Sequence, residues 1–342
     1  LAPTLGGRPP TPTGAARLLD WVGVPLVACA LPLLDGRRKR ALAWSAGAVF
    51  LLSCAMAGLQ HFGIWPAEET MARLAWTRIP YQRVYETVPG DGTRFMAGGL
   101  LFHRLKFANI GGLCVLWALG LGLRARGTAR VAGVMVAVVG FLSELVFPYA
   151  RAASVALLAS AGALLLLQLR HRLHAVAVGA ALALVAAGTV AASPSLRQRF
   201  LSSNTGEGSG DRPYFLAAGV NAVKAHPLAG FGPGRFRPAL FAPPGSPDHV
   251  LEHRGKSHNQ FLSLAAEIGL PGVALFVLLL GWLWRRLRAS AAAEAGRACL
   301  IFFVLVSLLH DPLYHAESSL AVVFALGLAL GAGRSASEPR AG

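Results

Sequence analysis

The amino-acid sequence predicts an all-α fold, a polytopic transmembrane helical bundle of about nine spans with one long periplasmic loop that contains short helices. Three observations predict it. Hydrophobic residues make up 54% of the 342 positions and charged residues only 14%, with a mean hydropathy of +0.53, far more apolar than a soluble domain of this length. The apolar residues come in long runs, most of them near the roughly 17–25 residues that a membrane-crossing helix requires. Basic residues collect in every second connection between those runs, and most acids collect in the others.

Taken in order, the candidate spans are 18–34, 41–64, 107–123, 129–147, 152–169, 174–192, 270–284, 298–309 and 318–332. The seventh and eighth are short. A helix entering from Asn259 lengthens the seventh, and the eighth is expected to begin a turn earlier. The basic connections are GRRKR at 36–40, RARGTAR at 124–130, RHRLH at 170–174, WRRLR at 284–288 and a tail with Arg334 and Arg340. The positive-inside rule makes these cytoplasmic. The outer face then holds the loop 65–106, the turn ending at Arg151, the polar interval 193–259 and the turn 310–318, with seven of the ten histidines and an eighth, His61, at the outer end of the second span. The expected organisation is N-terminal transmembrane helices over 1–192, a long outer-face loop over 193–260, C-terminal transmembrane helices over 261–334 and a cytoplasmic tail over 335–342. The chain begins with Leu and shows no signal-peptide layout. Native N-terminal residues, with further spans, are expected to precede it.

Composition also excludes classes. A net charge of +16 suggests nucleic acid in a soluble protein, but here it is spread over short loops as orientation signals, so no nucleic-acid partner is expected. Cys29, Cys54, Cys114 and Cys299 all lie inside apolar runs, where they read as small hydrophobes rather than a disulfide framework or a zinc cluster. A transporter should show polar residues near mid-membrane and interrupted helices paired between two halves. The sequence has no internal repeat of that kind.

The candidate chemistry lies on the outer face. Ser257 with Gln260 three residues on fits a capping box and predicts a helix that starts at His258 and ends near Gly269 and Pro271. A histidine in that first turn tends to stay neutral beside the positive helix end, as a general base must. The alternative is an interfacial helix start with no chemistry. Asp211 as N-cap and Pro213 in the first turn predict a helix from Arg212 to about Ala225, stopped by Pro227. Arg212 beside free backbone N–H groups suits a phosphate or pyrophosphate, or alternatively snorkels to lipid headgroups. GFGPG at 230–234 has no preceding strand and reads as a tight turn rather than a nucleotide loop. Arg151 follows Pro148 and Tyr149, and Glu144, just inside the preceding span, is either a site residue or its structural partner. His310, Asp311 and His315 lack a fourth ligand that would make a metal site persuasive. His103, Arg104 and Lys106 either line the same pocket or anchor the third span at the headgroups.

The stretch 211–272, with an arginine heading a helix, then HPLAGFGPGRF, SHNQFL and EIGLPG in that order, resembles the bacterial O-antigen ligase and O-antigen polymerase superfamily of membrane glycosyltransferases. YARAAS at 149–154 and RFMAGGLLFHRLKFAN at 94–109 share in the resemblance. It implies a multi-pass bacterial inner-membrane enzyme, metal-independent, inverting and without a cofactor. Such an enzyme moves a glycan from an undecaprenyl-pyrophosphate-linked donor to an acceptor sugar at the periplasmic leaflet. His258 is then the general base, and Arg151 and Arg212 hold the pyrophosphate. Asn259, Arg235, His103, Glu144 and His310 are expected to contact substrate. The first reading is a ligase with lipid A core as acceptor, and the second a polymerase that extends a growing lipid-linked glycan. From another class, the alternative is a glycolipid transporter or a non-enzymatic assembly subunit.

Overall fold

The structure, a computed structural model, describes residues 26–27, 30–31, 33–65, 87–88, 91–101, 103–168, 172–201, 211–252, 256–287 and 291–332. In chain order the helices are α1 (Gly36–His61), α2 (Arg104–Arg124), α3 (Gly127–Val146), α4 (Arg151–Gln168), α5 (Arg172–Ala192), α6 (Pro194–Leu201), α7 (Arg212–Ala225), α8 (Asp248–Glu252), α9 (Gln260–Arg286), α10 (Ala291–Ser307) and α11 (Ala316–Ala332). A helix occupies the place of each expected span after the first. Among the described residues five of them, α1, α2, α3, α4 and α9, are long and apolar enough to cross a membrane. The apolar parts of α5 and α11, Val176–Ala192 and Ala316–Leu330, are shorter, and α10 has 17 residues. The expected first span, 18–34, lies mostly outside the described residues.

One departure from all-α lies in the loop 65–106. Thr87–Val88 (β1) pairs antiparallel with Asp91–Phe95 (β2). The Asp91 carboxylate accepts from the Thr93 backbone N–H (3.0 Å) and hydroxyl (2.7 Å), the local side-chain closure that favours Asp at turns.

Small residues bring the helices together, as they do where no hydrophobic gain separates helix from lipid. A Cβ on Gly133 of α3 would strike the backbone of Gly122 on α2, and one on Gly112 of α2 would strike the Phe302 ring of α10. Two buried glutamines tie helices to their neighbours. Gln60 of α1 donates to the Gly99 carbonyl (3.0 Å) and accepts from the Gly98 N–H (3.2 Å), and Gln168 of α4 donates to the Gly120 carbonyl of α2 (3.1 Å). Cys54, Cys114 and Cys299 are free thiols.

Two ion pairs mark the ends of the bundle. Arg124 at the end of α2 meets Glu294 at the start of α10 (2.8 Å), and Lys106 at the start of α2 meets Glu317 at the start of α11 (2.7 Å). The second end gathers the four connections that the basic loops had set apart. There His61 Nδ1 lies 2.7 Å from the Phe95 carbonyl, the Ala97 N–H donates to the Phe147 carbonyl (2.9 Å) and the Gln260 N–H to the His310 carbonyl (3.1 Å). The Tyr149 hydroxyl lies 3.2 Å from Ser195 Oγ at the start of α6.

α9 is longer than expected but broken where Gly269 and Pro271 were expected to end it. Gly269 has φ 75° and ψ 173°, and the helix resumes beyond it. The chain from His226 to Gly232 docks into that break. Leu270 N–H donates to the Pro227 carbonyl (2.8 Å), Phe231 N–H to the Ala266 carbonyl (2.9 Å) and Gly232 N–H to the Glu267 carbonyl (2.8 Å). HPLAGFG and EIGLPG are therefore two halves of one joint, in which backbone approaches backbone. A Cβ on Gly269 would collide with the Leu228 carbonyl, and one on Gly230 (φ 61°) with the backbone of Glu267. Gly269→Ala therefore faces both a disfavoured backbone and a collision, and should cost about 1–3 kcal/mol. The expected result is a melting temperature several degrees below wild type in detergent, and an unchanged value would refute the joint.

Candidate functional site

The site is assembled at the Lys106–Glu317 end from helix starts. Arg151 is the first residue of α4. The turn before it is held by Tyr149, a buried residue with φ 51°, whose hydroxyl meets Ser195 and whose ring stacks on His61 with centroids 6.1 Å apart. A bulky residue in left-handed backbone is unusual and needs such anchoring.

Arg212 is the first residue of α7, with Pro213 in the first turn and the helix ending at Ala225, as the sequence predicts. The expected Asp211 side-chain cap is absent: Asp211 has helical backbone (φ −95°, ψ −11°) and caps through its carbonyl alone. Half-buried Arg212 has its pKa lowered first by burial and second by the neighbouring Arg151 guanidinium. Two arginines 61 positions apart in the chain, 212 and 151, thus lie near enough for their like charges to interact unfavourably.

His258 sits differently from its expected place. The N-cap of α9 is Asn259, so the helix starts at Gln260 and His258 stands outside the first turn with φ 56°. Ser257 is not the cap because its hydroxyl is taken by the Asn259 carbonyl (2.9 Å) and Ser263 Oγ (2.8 Å). Asn259 accepts from Leu262 N–H (3.0 Å) and donates to the Leu308 carbonyl (3.1 Å). Both ends of its amide are engaged in structure, which does not favour the expected substrate contact. The His258 ring stands edge-on to Phe215 of α7 (4.8 Å) and to His310 (6.5 Å).

His310 is held neutral, its pKa pushed down to about 3 by burial first, then by Arg212, His258, Arg104 and Lys256. Arg212, His258, Arg104 and Lys256 thus lie near enough to His310 to bear on its charge, and Arg151 bears on that of Arg212. Beside them lies a second group. His315, pushed down to about 2 by burial, then Lys256, His103, Lys106 and His310, presents Nε2 to the Lys256 ammonium at 3.2 Å, an acceptor role that only neutral imidazole fills. The His103 ring is 5.5 Å from that of His315, and its Nδ1 caps α2 by accepting from Lys106 N–H (3.4 Å). Lys256 and His315 were not among the expected site residues. The available signal was weak: Lys256 precedes His258 by two positions in a segment rich in other basic residues.

Two expected residues are not brought into this cluster. Glu144 is buried in α3 with its carboxyl against Gly111 of α2 and the Phe50 ring, and its Oε1 has no hydrogen-bond partner. Gly111 makes the room for it, and that packing supports neither a substrate contact nor a pair with Arg151. Arg235 folds back over Gly232 of its own turn, and no contact among the described residues ties it to the cluster. Among the described residues no group of three or more His, Cys, Asp or Glu is placed to hold a metal ion.

Residues 144–277, the segment that carries Arg151, Arg212 and His258, match the family model described as O-antigen ligase. That segment is a domain of the O-antigen ligase/polymerase superfamily. With the long apolar helices, it marks the chain as a multi-pass membrane protein. No curated protein sequence matches the chain. A chain from a solved structure on the coordination of polymerization and crosslinking by a peptidoglycan synthase complex is similar to it. The similarity spans 98% of this chain and 94% of that one, with a TM-score of 0.50 and 20% identity, a likeness of fold.

The repulsion between Arg151 and Arg212 gives a stability test. Arg212→Gln keeps a polar helix start and removes one of the two facing charges. Its melting temperature without substrate should be a few degrees above wild type. A lower value would show that Arg212 is structural rather than held against its neighbour.

Proposed function

We propose that the protein is a glycosyltransferase of the bacterial inner membrane that transfers a glycan from undecaprenyl pyrophosphate to an acceptor sugar at the periplasmic face, as an O-antigen ligase with lipid A core as acceptor. What supports this reading is the placement of Arg212 and His258 beside His310, with Arg151 near Arg212, at the end of an apolar bundle, all three within the matched segment. A site at the end of a lipid-embedded scaffold suits a substrate whose tail is lipid and whose head is a diphosphate.

The mechanism follows from charge. Arg151 and Arg212 repel in the free protein, and a diphosphate between them relieves that repulsion and is drawn in. As the bond from the anomeric carbon to the phosphate oxygen breaks, negative charge builds on the departing pyrophosphate, and the fixed guanidinium pair stabilises it more than the ground state. The acceptor hydroxyl attacks the anomeric carbon from the opposite face, which inverts its configuration, and its proton passes to the His258 imidazole. His310, neutral behind His258, adds no competing positive charge there. This chemistry assigns each step to a side chain and asks for no metal.

A polymerase is the second reading, in which the acceptor is another lipid-linked glycan. The likeness of fold to a chain of a peptidoglycan synthase complex, a protein associated with polymerization, is the observation in its favour. Surface glycolipid from a deletion strain separates the two. Bare core with polymer left on the carrier lipid indicates a ligase, and core bearing a single repeat indicates a polymerase.

His258→Ala and Arg212→Ala are expected to lower glycan transfer by at least about 100-fold each while the protein still inserts. The assay uses purified undecaprenyl-pyrophosphate-linked glycan, and wild-type transfer by either variant would sink the mechanism. Transfer should also persist in EDTA.

A further inference from the structure

The bundle has an opening that the chemistry above does not use. A cleft of about 860 Å³ is bordered by α1, α2, α3 and α11, a volume within the range of pockets that take a small ligand. Ile110, Trp117 and Leu121 of α2 line it, as do Leu320, Phe324 and Leu328 of α11. The first half of α1 leaves it open: none of residues 36–49 is buried, and the buried side chains of that helix start at Phe50. Arg40 and Ser53 of α1 both line the cleft. At 1.5 Å per residue they are about 20 Å apart, roughly two thirds of the hydrocarbon thickness of a bilayer.

Two of the lining rows run up into charge. Lys106 stands four residues before Ile110, and Glu317 three before Leu320, so each tops the row of its helix that faces the cleft. Their ion pair (2.7 Å) ties α2 to α11 at that end. The His103 and His315 rings, 5.5 Å apart, join the same two helix starts, and the Lys256 ammonium lies 3.2 Å from His315 Nε2. Arg104, two residues from Lys106, belongs to another face of α2. The cleft is mostly apolar between its ends and meets ammonium groups where the helices start. That is the polarity of a membrane lipid, chains along the helices and phosphate at the cations.

We propose that this cleft holds a phospholipid of the surrounding bilayer, with its acyl chains along the first half of α1 and its phosphodiester on Lys106. An ammonium has three donors and Glu317 takes one, so a phosphate oxygen joins that pair without breaking it. Any apolar cleft open to a bilayer fills with chains, and the ammonium groups decide that one lipid stays. The bound lipid supports the part of α1 that the protein leaves unpacked and steadies the starts of α2 and α11. It uses neither Arg151 nor Arg212, which open α4 and α7, and it does not depend on the glycosyltransferase reading.

The test is native mass spectrometry of the detergent-solubilised protein, titrated with phosphatidylglycerol and, separately, with the diacylglycerol that lacks its phosphate. Phosphatidylglycerol should be retained at least about 10-fold more tightly than diacylglycerol, and should raise the melting temperature by several degrees. Lys106→Gln should bring phosphatidylglycerol down to the level of diacylglycerol. Gly47 lines the cleft, and a Cβ there meets nothing within 4 Å. Gly47→Leu therefore fills the space without collision while favouring the helix, and should abolish retention of both lipids. Equal retention of the two lipids by wild type would overturn the phosphate contact. Undiminished binding in Gly47→Leu would put the lipid outside the cleft and overturn the site. Displacement of phosphatidylglycerol by equimolar undecaprenyl diphosphate would give the cleft to the donor's tail, and would overturn the proposal as well.

Discussion

Like charges held together are the constraint on which this structure depends. Arg212, Arg104 and Lys256 act together on His310, Arg151 acts on Arg212, and Lys106 joins them through His315. The carboxylates of this region include Glu317, paired with Lys106, and the buried Asp311. Left to relax, such side chains would swing apart into solvent. They stay because each starts from a fixed backbone: Arg151 after the anchored Tyr149 turn, Arg212 at a proline-stiffened helix start, Lys256 in a hairpin tied to α10. Two histidines, His310 and His315, are kept neutral first by burial and then by these charges, which leaves imidazole nitrogens able to accept.

The scaffold explains how loops so far apart in sequence come to one place. Close helix contacts through Gly112, Gly122 and Gly133 fix α2 against α3 and α10, so the starts of α2 and α4 and the end of α10 share one end of the bundle. The joint at Gly269 then matters for function. It bends α9 and receives the chain after His226, so that α7, which bears Arg212, is seated against the helix whose start bears His258. Phe215 on His258 is the visible result.

Much of this was legible in the sequence, for physical reasons that differ by feature. Helix positions could be read because lipid demands long apolar runs, and the end that carries the site could be read because Lys and Arg mark the other end. The α7 boundaries were given by Asp211, Pro213 and Pro227. Less legible was anything that depends on a partner distant in sequence. The capping box at Ser257 and Gln260 was a sound local pattern, but Ser263 and Leu308 drew Ser257 and Asn259 into other bonds and moved the helix start by two residues. GFGPG showed a turn but not what it docks against. Glu144 and Arg235 are near the right residues in sequence and aim elsewhere in space. The short β1–β2 pairing has too few residues to leave a periodic signal.

The displaced helix start changes the argument for His258. Inside the first turn, the helix dipole alone could have kept the imidazole available. One residue outside it, with left-handed backbone, its orientation must come from its contacts: Phe215 on one side, His310 on another, and the hairpin bonds below. A base set by contacts is more sensitive to the loop than a base set by a helix end. The residues that decide its geometry therefore include ones that never reach the substrate, Ser263 and Gln260 among them. That sensitivity suits an acceptor whose hydroxyl must be met in one orientation, since proton transfer is efficient only within hydrogen-bond reach.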